Sequence, residues 1–147
     1  MYVLLNVKSR LHEGEIQQLL GYSVFPDPDS LQEALSQYEN NENTWLFAYE
    51  SEGLPVGIIG FELNEKQEMT LRHLAVEPES RGEGFGRGML LEIIDDMQPV
   101  RITVETDEEA VQFYRNVGFV IRSLGEKYPG VERFLCTYEI EEEDEDE

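Results

Sequence analysis

The chain has 147 residues, enough for one domain with a single core, and its 40% hydrophobic and 29% charged residues exclude a wholly disordered protein. Asp and Glu number 32 against 11 Lys and Arg, a formal net charge of −21, so a nucleic-acid backbone would meet a repulsive field and no nucleic-acid partner is expected. No apolar run approaches the roughly 20 residues that a membrane helix needs. Residues 1–8 also lack the charged start and cleavage site of a secretory signal, and the expectation is a cytoplasmic protein without a membrane partner. A single cysteine, Cys136, and two histidines leave no cluster at zinc spacing, so no metal is expected.

In chain order, an opening strand over 2–8 precedes two helical stretches over 12–20 and 30–38, the second entered through Asp27-Pro28-Asp29-Ser30. Two β-rich runs, 44–51 and 55–63, flank Glu52-Gly53 and read as a hairpin, with a further strand over 69–76. After Pro78 and a glycine-rich stretch, Phe85, Met89, Ile93 and Met97 recur every four residues with Leu90 and Ile94 beside them, an amphipathic helix. A buried strand over 100–105 leads to Thr106-Asp107-Glu108-Glu109, a capping box that opens another helix. Ala110, Phe113, Tyr114 and Val117 form one face of that helix, and Gly118 closes it. Strands over 119–124 and 132–140 follow, the latter placing Cys136 as a packed thiol on the face of Phe134 and Tyr138. The order implies a mixed α/β fold, with residues 1–140 as one domain. Residues 141–147 are all acidic and read as a disordered tail; removing its seven charges from −21 leaves −14 on the body.

The segment with the strongest chemical content runs Leu74-Ala75-Val76-Glu77-Pro78-Glu79-Ser80-Arg81-Gly82-Glu83-Gly84-Phe85-Gly86-Arg87-Gly88, from strand into helix. A helix start leaves N–H groups unpaired, glycines let an anion approach them, and the macrodipole adds partial positive charge, so the segment suits a phosphate group. Arg81 and Arg87 add full charges within an otherwise acidic body. The dinucleotide fingerprint G-x-G-x-x-G fails, because Arg87 and Met89 stand where its last glycine is required, and no Walker Lys-Ser/Thr follows. A nucleotide-dependent oxidoreductase is therefore disfavoured.

Arg81-Gly82-Glu83-Gly84-Phe85-Gly86 resembles motif A of the GNAT superfamily of N-acetyltransferases, Arg/Gln-x-x-Gly-x-Gly/Ala. A second stretch, with Ala110, Phe113, Tyr114, Gly118 and Phe119, resembles the family's Asn-x-x-Ala-x-x-aromatic-Tyr followed by Gly-Phe, with Asp107 at the usual asparagine. The resemblance covers nearly the whole chain apart from the acidic run. It implies a mainly antiparallel central sheet flanked by helices, and acetyl-CoA as cofactor with its pyrophosphate on the amides from Arg81 to Arg87, above all at Gly82, Gly84 and Gly86. It further implies that Leu74, Ala75 and Val76 splay from the neighbouring strand to offer main-chain groups to the pantetheine and thioester, and that Tyr114 serves as general acid. The helix stripe alone also accounts for Tyr114 as a packing residue. The implied activity is acetyl transfer to a primary amine by direct attack in a ternary complex; the alternative is an acyl-CoA-binding sensor of the same fold.

Candidates for the base are Glu62, Glu68, His73 and Glu105. His73 alternates with Leu71 and Ala75 and also reads as a satisfied interior histidine, while Glu62 and Glu68 flank a turn where solvated charge is ordinary. The acceptor is left open; the negative charge is compatible with a cationic amine, but solubility alone is the stronger reading of it. The two late strands offer an edge across which a homodimer could pair.

Overall fold

The structure, a computed structural model, describes residues 2–24 and 26–140; the acidic run 141–147 lies outside the described residues. Among the described residues, seven strands and four α-helices follow one another as β1 (Val3–Asn6), α1 (Gly14–Gly21), α2 (Pro28–Asn40), β2 (Thr44–Ser51), β3 (Leu54–Leu63), β4 (Glu68–Val76), α3 (Phe85–Met97), β5 (Arg101–Thr106), α4 (Val111–Val117), β6 (Val120–Tyr128) and β7 (Val131–Glu139). In hydrogen-bonding order the strands run β1-β2-β3-β4-β5-β7-β6. The registered pairs are antiparallel apart from β4 with β5, so the mixed, mainly antiparallel sheet expected from the resemblance is present. The chain divides into two compact units, residues up to 63 with 71–98, and residues 64–70 with 99 onward.

In the first unit, β2 and β3 form the expected hairpin. Ser51 pairs with Leu54 across Glu52-Gly53, whose φ values of 55° and 81° are what a two-residue turn of right-handed twist demands. Strand β2 alternates strictly, burying Leu46 and Ala48 completely while Trp45, Phe47 and Tyr49 are half-buried on the opposite side. The buried side joins Val7, Ile16, Leu19, Leu20, Ala34, Leu35, Tyr38, Ile58 and Ala75 in one apolar core. Helix α2 starts where expected: the Asp27 carboxylate accepts from the Ser30 amide at 2.7 Å and Pro28 occupies the first turn, where no N–H is needed. The nearly buried Glu50, 6% exposed, is neutralised by Arg10, whose guanidinium donates to Glu50 at 2.5 Å and to Glu13 at 2.9 Å. An unpaired carboxylate there would be costly, so this is a structural ion pair.

The second unit is built on β5, β7 and β6, with the start of β4 added in parallel over three pairs, Glu68↔Arg101 to Thr70↔Thr103. Its interior holds Met69, Ile102, Val104, Val111, Tyr114, Phe119 and Cys136. The capping box at Thr106 is not the cap that forms. Thr106 stays in β5, paired with Phe134, and the Asp107 carboxylate accepts the Ala110 amide at 2.9 Å, so the regular helix begins only at Val111. The Asp107 carboxylate, one residue later, reaches the donor, while the ladder holds Thr106 extended. Gly118 closes the helix at φ 120° as expected, its N–H reaching the Tyr114 and Arg115 carbonyls.

Candidate functional site

Between β4 and α3 the chain turns through Pro78–Ser80, a 3-10 turn, and then through Gly82 and Gly84, at φ 86° and 85°. Side chains rarely tolerate this conformation, so glycine is required at both positions. A Cβ at either would have no neighbour within 4 Å, leaving an open space against the backbone. Helix α3 begins at Phe85, and its first turn closes with the Gly88 amide on the Gly84 carbonyl. Among the described residues, no hydrogen bond is donated by the main-chain N–H groups of residues 82–87. Unpaired amides, two glycines in left-handed conformation and the positive end of a 13-residue helix make a cradle whose chemistry fits the diphosphate of acetyl-CoA.

The two arginines beside this turn differ. Arg87 is exposed on the first turn of α3. Arg81 is used by the fold: its Nε donates to the Val76 carbonyl at 2.9 Å, and its guanidinium lies 5.6 Å from the centre of the Tyr22 ring. Arg81 thus fastens the turn to the end of β4, a positioning role that its motif did not reveal. Of Leu74, Ala75 and Val76, Ala75 is buried in the core and Val76 has its carbonyl engaged by Arg81. The ladder from β4 to β5 ends at Thr70.

Phe85 is half-buried under an aromatic group. The Tyr2 ring meets it edge-on at 4.6 Å and Tyr49 at 6.3 Å, while the Tyr49 hydroxyl donates to Glu92 at 2.7 Å. Burial and the Glu92 carboxylate push the Tyr49 hydroxyl up to about 12. Strand β2 and the residue before β1 therefore brace the first two turns of α3.

In the second unit Tyr114 is 6% exposed, edge-on to Phe113 at 5.0 Å and to Phe119 at 5.3 Å. Burial, with smaller effects from Cys136 and Asp107, pushes its hydroxyl well above the usual tyrosine value, so it keeps its proton at neutral pH. Cys136 is wholly buried, which raises its thiol in turn and matches the packed role expected of it.

The base candidates fall in different settings. Glu105 accepts from Lys127 at 2.9 Å and Arg133 at 3.3 Å, and these hydrogen bonds hold its carboxyl below the ordinary range, making it a weaker base. Glu68 pairs with Arg101 at 3.2 Å and accepts from Asn64 at 3.0 Å. Glu62 accepts from Arg72 at 2.6 Å and from Asn41 at 2.9 Å. His73 stands 2.6 Å through Nδ1 from the hydroxyl of Tyr38, and burial, aided by Arg72, pushes the imidazole down to about 4. Tyr38 also forms part of the wall of an open groove of about 940 Å³ with Lys8, His12, Gln17, Gln32 and Glu39. Tyr38 carries no motif in the sequence, and its helical spacing alone makes it one more core residue. Among the described residues, no group of three or more His, Cys, Asp or Glu could hold a metal ion. No helix among them is long and apolar enough to cross a membrane.

The family model of the acetyltransferase (GNAT) domain matches residues 12–129. A curated but uncharacterized N-acetyltransferase of Bacillus methanolicus, from the lysA 3′ region, is 29% identical over 84 residues, 57% of this chain and 69% of that protein. Among solved structures, the ribosomal-protein-S18-alanine N-acetyltransferase of Escherichia coli superposes with a TM-score of 0.75 at 19% identity, over 99% of this chain and 98% of that one. A Bacillus anthracis acetyltransferase solved in complex with acetyl coenzyme A superposes with a TM-score of 0.62 at 19% identity, over 72% of this chain and 68% of its own. Both likenesses are likenesses of fold.

Proposed function

Because the chain belongs to the GNAT family of N-acetyltransferases, we propose that it moves an acetyl group from acetyl-CoA to a primary amine of a small molecule or peptide by direct attack in a ternary complex. The observation that carries this reading is the set of undonated amides over residues 82–87, opened by Gly82 and Gly84 at positive φ and ending on α3. Acetyl-CoA supplies the activated acetyl thioester, and the B. anthracis complex supports it as the cofactor. The amides of Gly82, Gly84, Phe85 and Gly86 would hold its diphosphate, with Arg87 adding charge and Arg81 fixing the turn to Val76. Main-chain groups of Leu74, Ala75 and Val76 are the proposed contacts for the pantetheine arm, a donor at the carbonyl acting as an oxyanion hole does. Tyr114 holds its proton at neutral pH, the state required of a donor to the departing sulfur.

The attacking nitrogen must first lose a proton, since an alkylamine of pKa about 10.4 is neutral in only about one molecule in a few thousand at pH 7. Glu62, Glu68 and Glu105 each have a cation within 4 Å, and His73 is held neutral, so water carries the proton away from the amine and no side chain is assigned as a strong base. Calorimetric titration with acetyl-CoA and desulfo-CoA, followed by thiol release over an amine panel, tests the reading. Binding with release is the expected result. Binding without release would indicate an acyl-CoA-binding module of the same fold, and absence of binding would overturn the cradle.

A further inference from the structure

The Tyr38–His73 contact has one consistent arrangement of protons. Tyr38 is 1% exposed, and its hydroxyl has no hydrogen-bonding partner but His73 Nδ1 among the described residues. The hydroxyl is wedged against β3 at Gly60, where even a methyl group would come within 1.9 Å of it. If Nδ1 carried a proton and donated to the phenol oxygen, the phenol's own proton would be buried without an acceptor, which costs about 1–3 kcal/mol. The same holds for the imidazolium, which bears a proton on both nitrogens. The hydroxyl therefore donates to Nδ1, and the ring proton sits on Nε2. Nε2 has no partner among the described residues, and among them no buried side-chain nitrogen or oxygen is left unsatisfied, so Nε2 reaches solvent. The charged groups that face the pair are Arg72, on the same strand as His73, and Glu62 on β3.

We propose that Tyr38 is a positioning residue that locks His73 as the neutral imidazole protonated at Nε2, so that β4 presents an N–H donor to an oxygen of the bound substrates and not a base. A base role requires an unprotonated nitrogen open to the substrate amine; here the unprotonated nitrogen is the one covered by Tyr38. Gly60 is part of the device, because no other residue leaves room for the hydroxyl over β3. The donor role rests on the acetyl-transfer reading above, whereas the tautomer does not.

The chain's two histidines make the tautomer directly measurable by long-range nitrogen–proton NMR on the full-length protein at pH 7, with exposed His12 as internal reference. His73 is expected to show one protonated and one bare nitrogen, Nε2 being protonated, while His12 averages. Protonation at Nδ1, or an imidazolium at pH 7, would overturn the lock. In Tyr38→Phe the His73 nitrogens are expected to move toward the averaged pattern of His12; an unchanged pattern would show that Tyr38 does not set the tautomer. For turnover, His73→Gln keeps a donor near the Nε2 position and His73→Asn does not, so His73→Asn is expected to lose at least tenfold more in kcat than His73→Gln. Equal losses with a shifted pH profile would make His73 a base. If the protein showed no transfer at all, the NMR result would still decide the lock separately from the acetyltransferase reading.

Discussion

Tyr114 shows how one residue carries two demands. Its place on the apolar face of α4 requires an aromatic or aliphatic side chain, and the same burial that satisfies this requirement raises the hydroxyl above its ordinary value. An ordinary phenol near pKa 10 is already a weaker acid than a thiol near 8.5, a difference of about 2 kcal/mol, and burial widens it. In the proposed reaction Tyr114 would therefore donate a hydrogen bond to the developing thiolate and keep its own proton, the departing sulfur being protonated from solvent. Tyr114→Phe is expected to lower kcat by about tenfold or more while acetyl-CoA affinity from calorimetry stays unchanged; an unchanged rate would leave only its packing role. His73 gives a prediction in the pH dependence of stability. In the unfolded chain it titrates near 6.5 and in the fold near 4, so above pH 6.5 both states are neutral and nothing is lost. As pH falls from 6.5 to 4 the unfolded chain takes up a proton that the native imidazole refuses, and stability drops by up to about 3 kcal/mol. Urea midpoints at pH 7 and pH 4.5 should separate more in the wild type than in His73→Gln, where that titration is gone.

At the scale of elements, the strand-to-helix turn concentrates the chain's most informative residues. Its glycines have different physical causes: Gly82 and Gly84 satisfy a positive φ, while Gly88 lies in the helix with the Tyr49 hydroxyl 3.3 Å from where its Cβ would stand. Gly84→Asp with Gly86→Asp places carboxylates at the proposed diphosphate cradle and is expected to weaken acetyl-CoA binding at least tenfold, about 1.4 kcal/mol or more. Gly84→Asn strains the backbone similarly without the charge, so a much smaller loss there assigns the effect to electrostatics. The bounds of α3, Phe85–Met97, and of β2, Thr44–Ser51, coincide with the expected spans because apolar periodicity alone marks them. Strand β6 runs on to Tyr128, beyond the expected 124, because its later residues are solvent-exposed and carry no alternation to read. The cap of α4 differs from the expected one for a related reason, since Thr106 and Asp107 are both good caps and only the β5–β7 ladder decides between them.

At the scale of the molecule, −21 is a field and not a site. Ion pairs consume many of the few cations: Arg10, Arg72, Arg101, Lys127 and Arg133 are all bound to carboxylates. The remaining negative charge would attract a cationic acceptor, whose kcat/KM is expected to fall severalfold between low salt and about 0.5 M, where the Debye length shortens to a few ångströms. Flat salt dependence for a cationic amine would assign the acidity to solubility. Acetyl-CoA, itself an anion, should show no such loss.

Composition, the alternation of the strands, the glycine spacing and the Gly-Phe stretch after Tyr114 determined the fold class and the family, because each is a local pattern that packing only had to respect. Tertiary structure decided which charged groups remain available. Arg81 bonded back to the Val76 carbonyl, each carboxylate candidate acquired a cation, and Glu50 and Arg10 met from distant positions in the chain. It also decided the protonation of His73, because its partner Tyr38 lies 35 residues away in sequence and fits only over the bare backbone of Gly60. Local periodicity can place a residue on a buried face, but a buried polar atom's partner is chosen by the packing of elements whose separation along the chain no local pattern encodes.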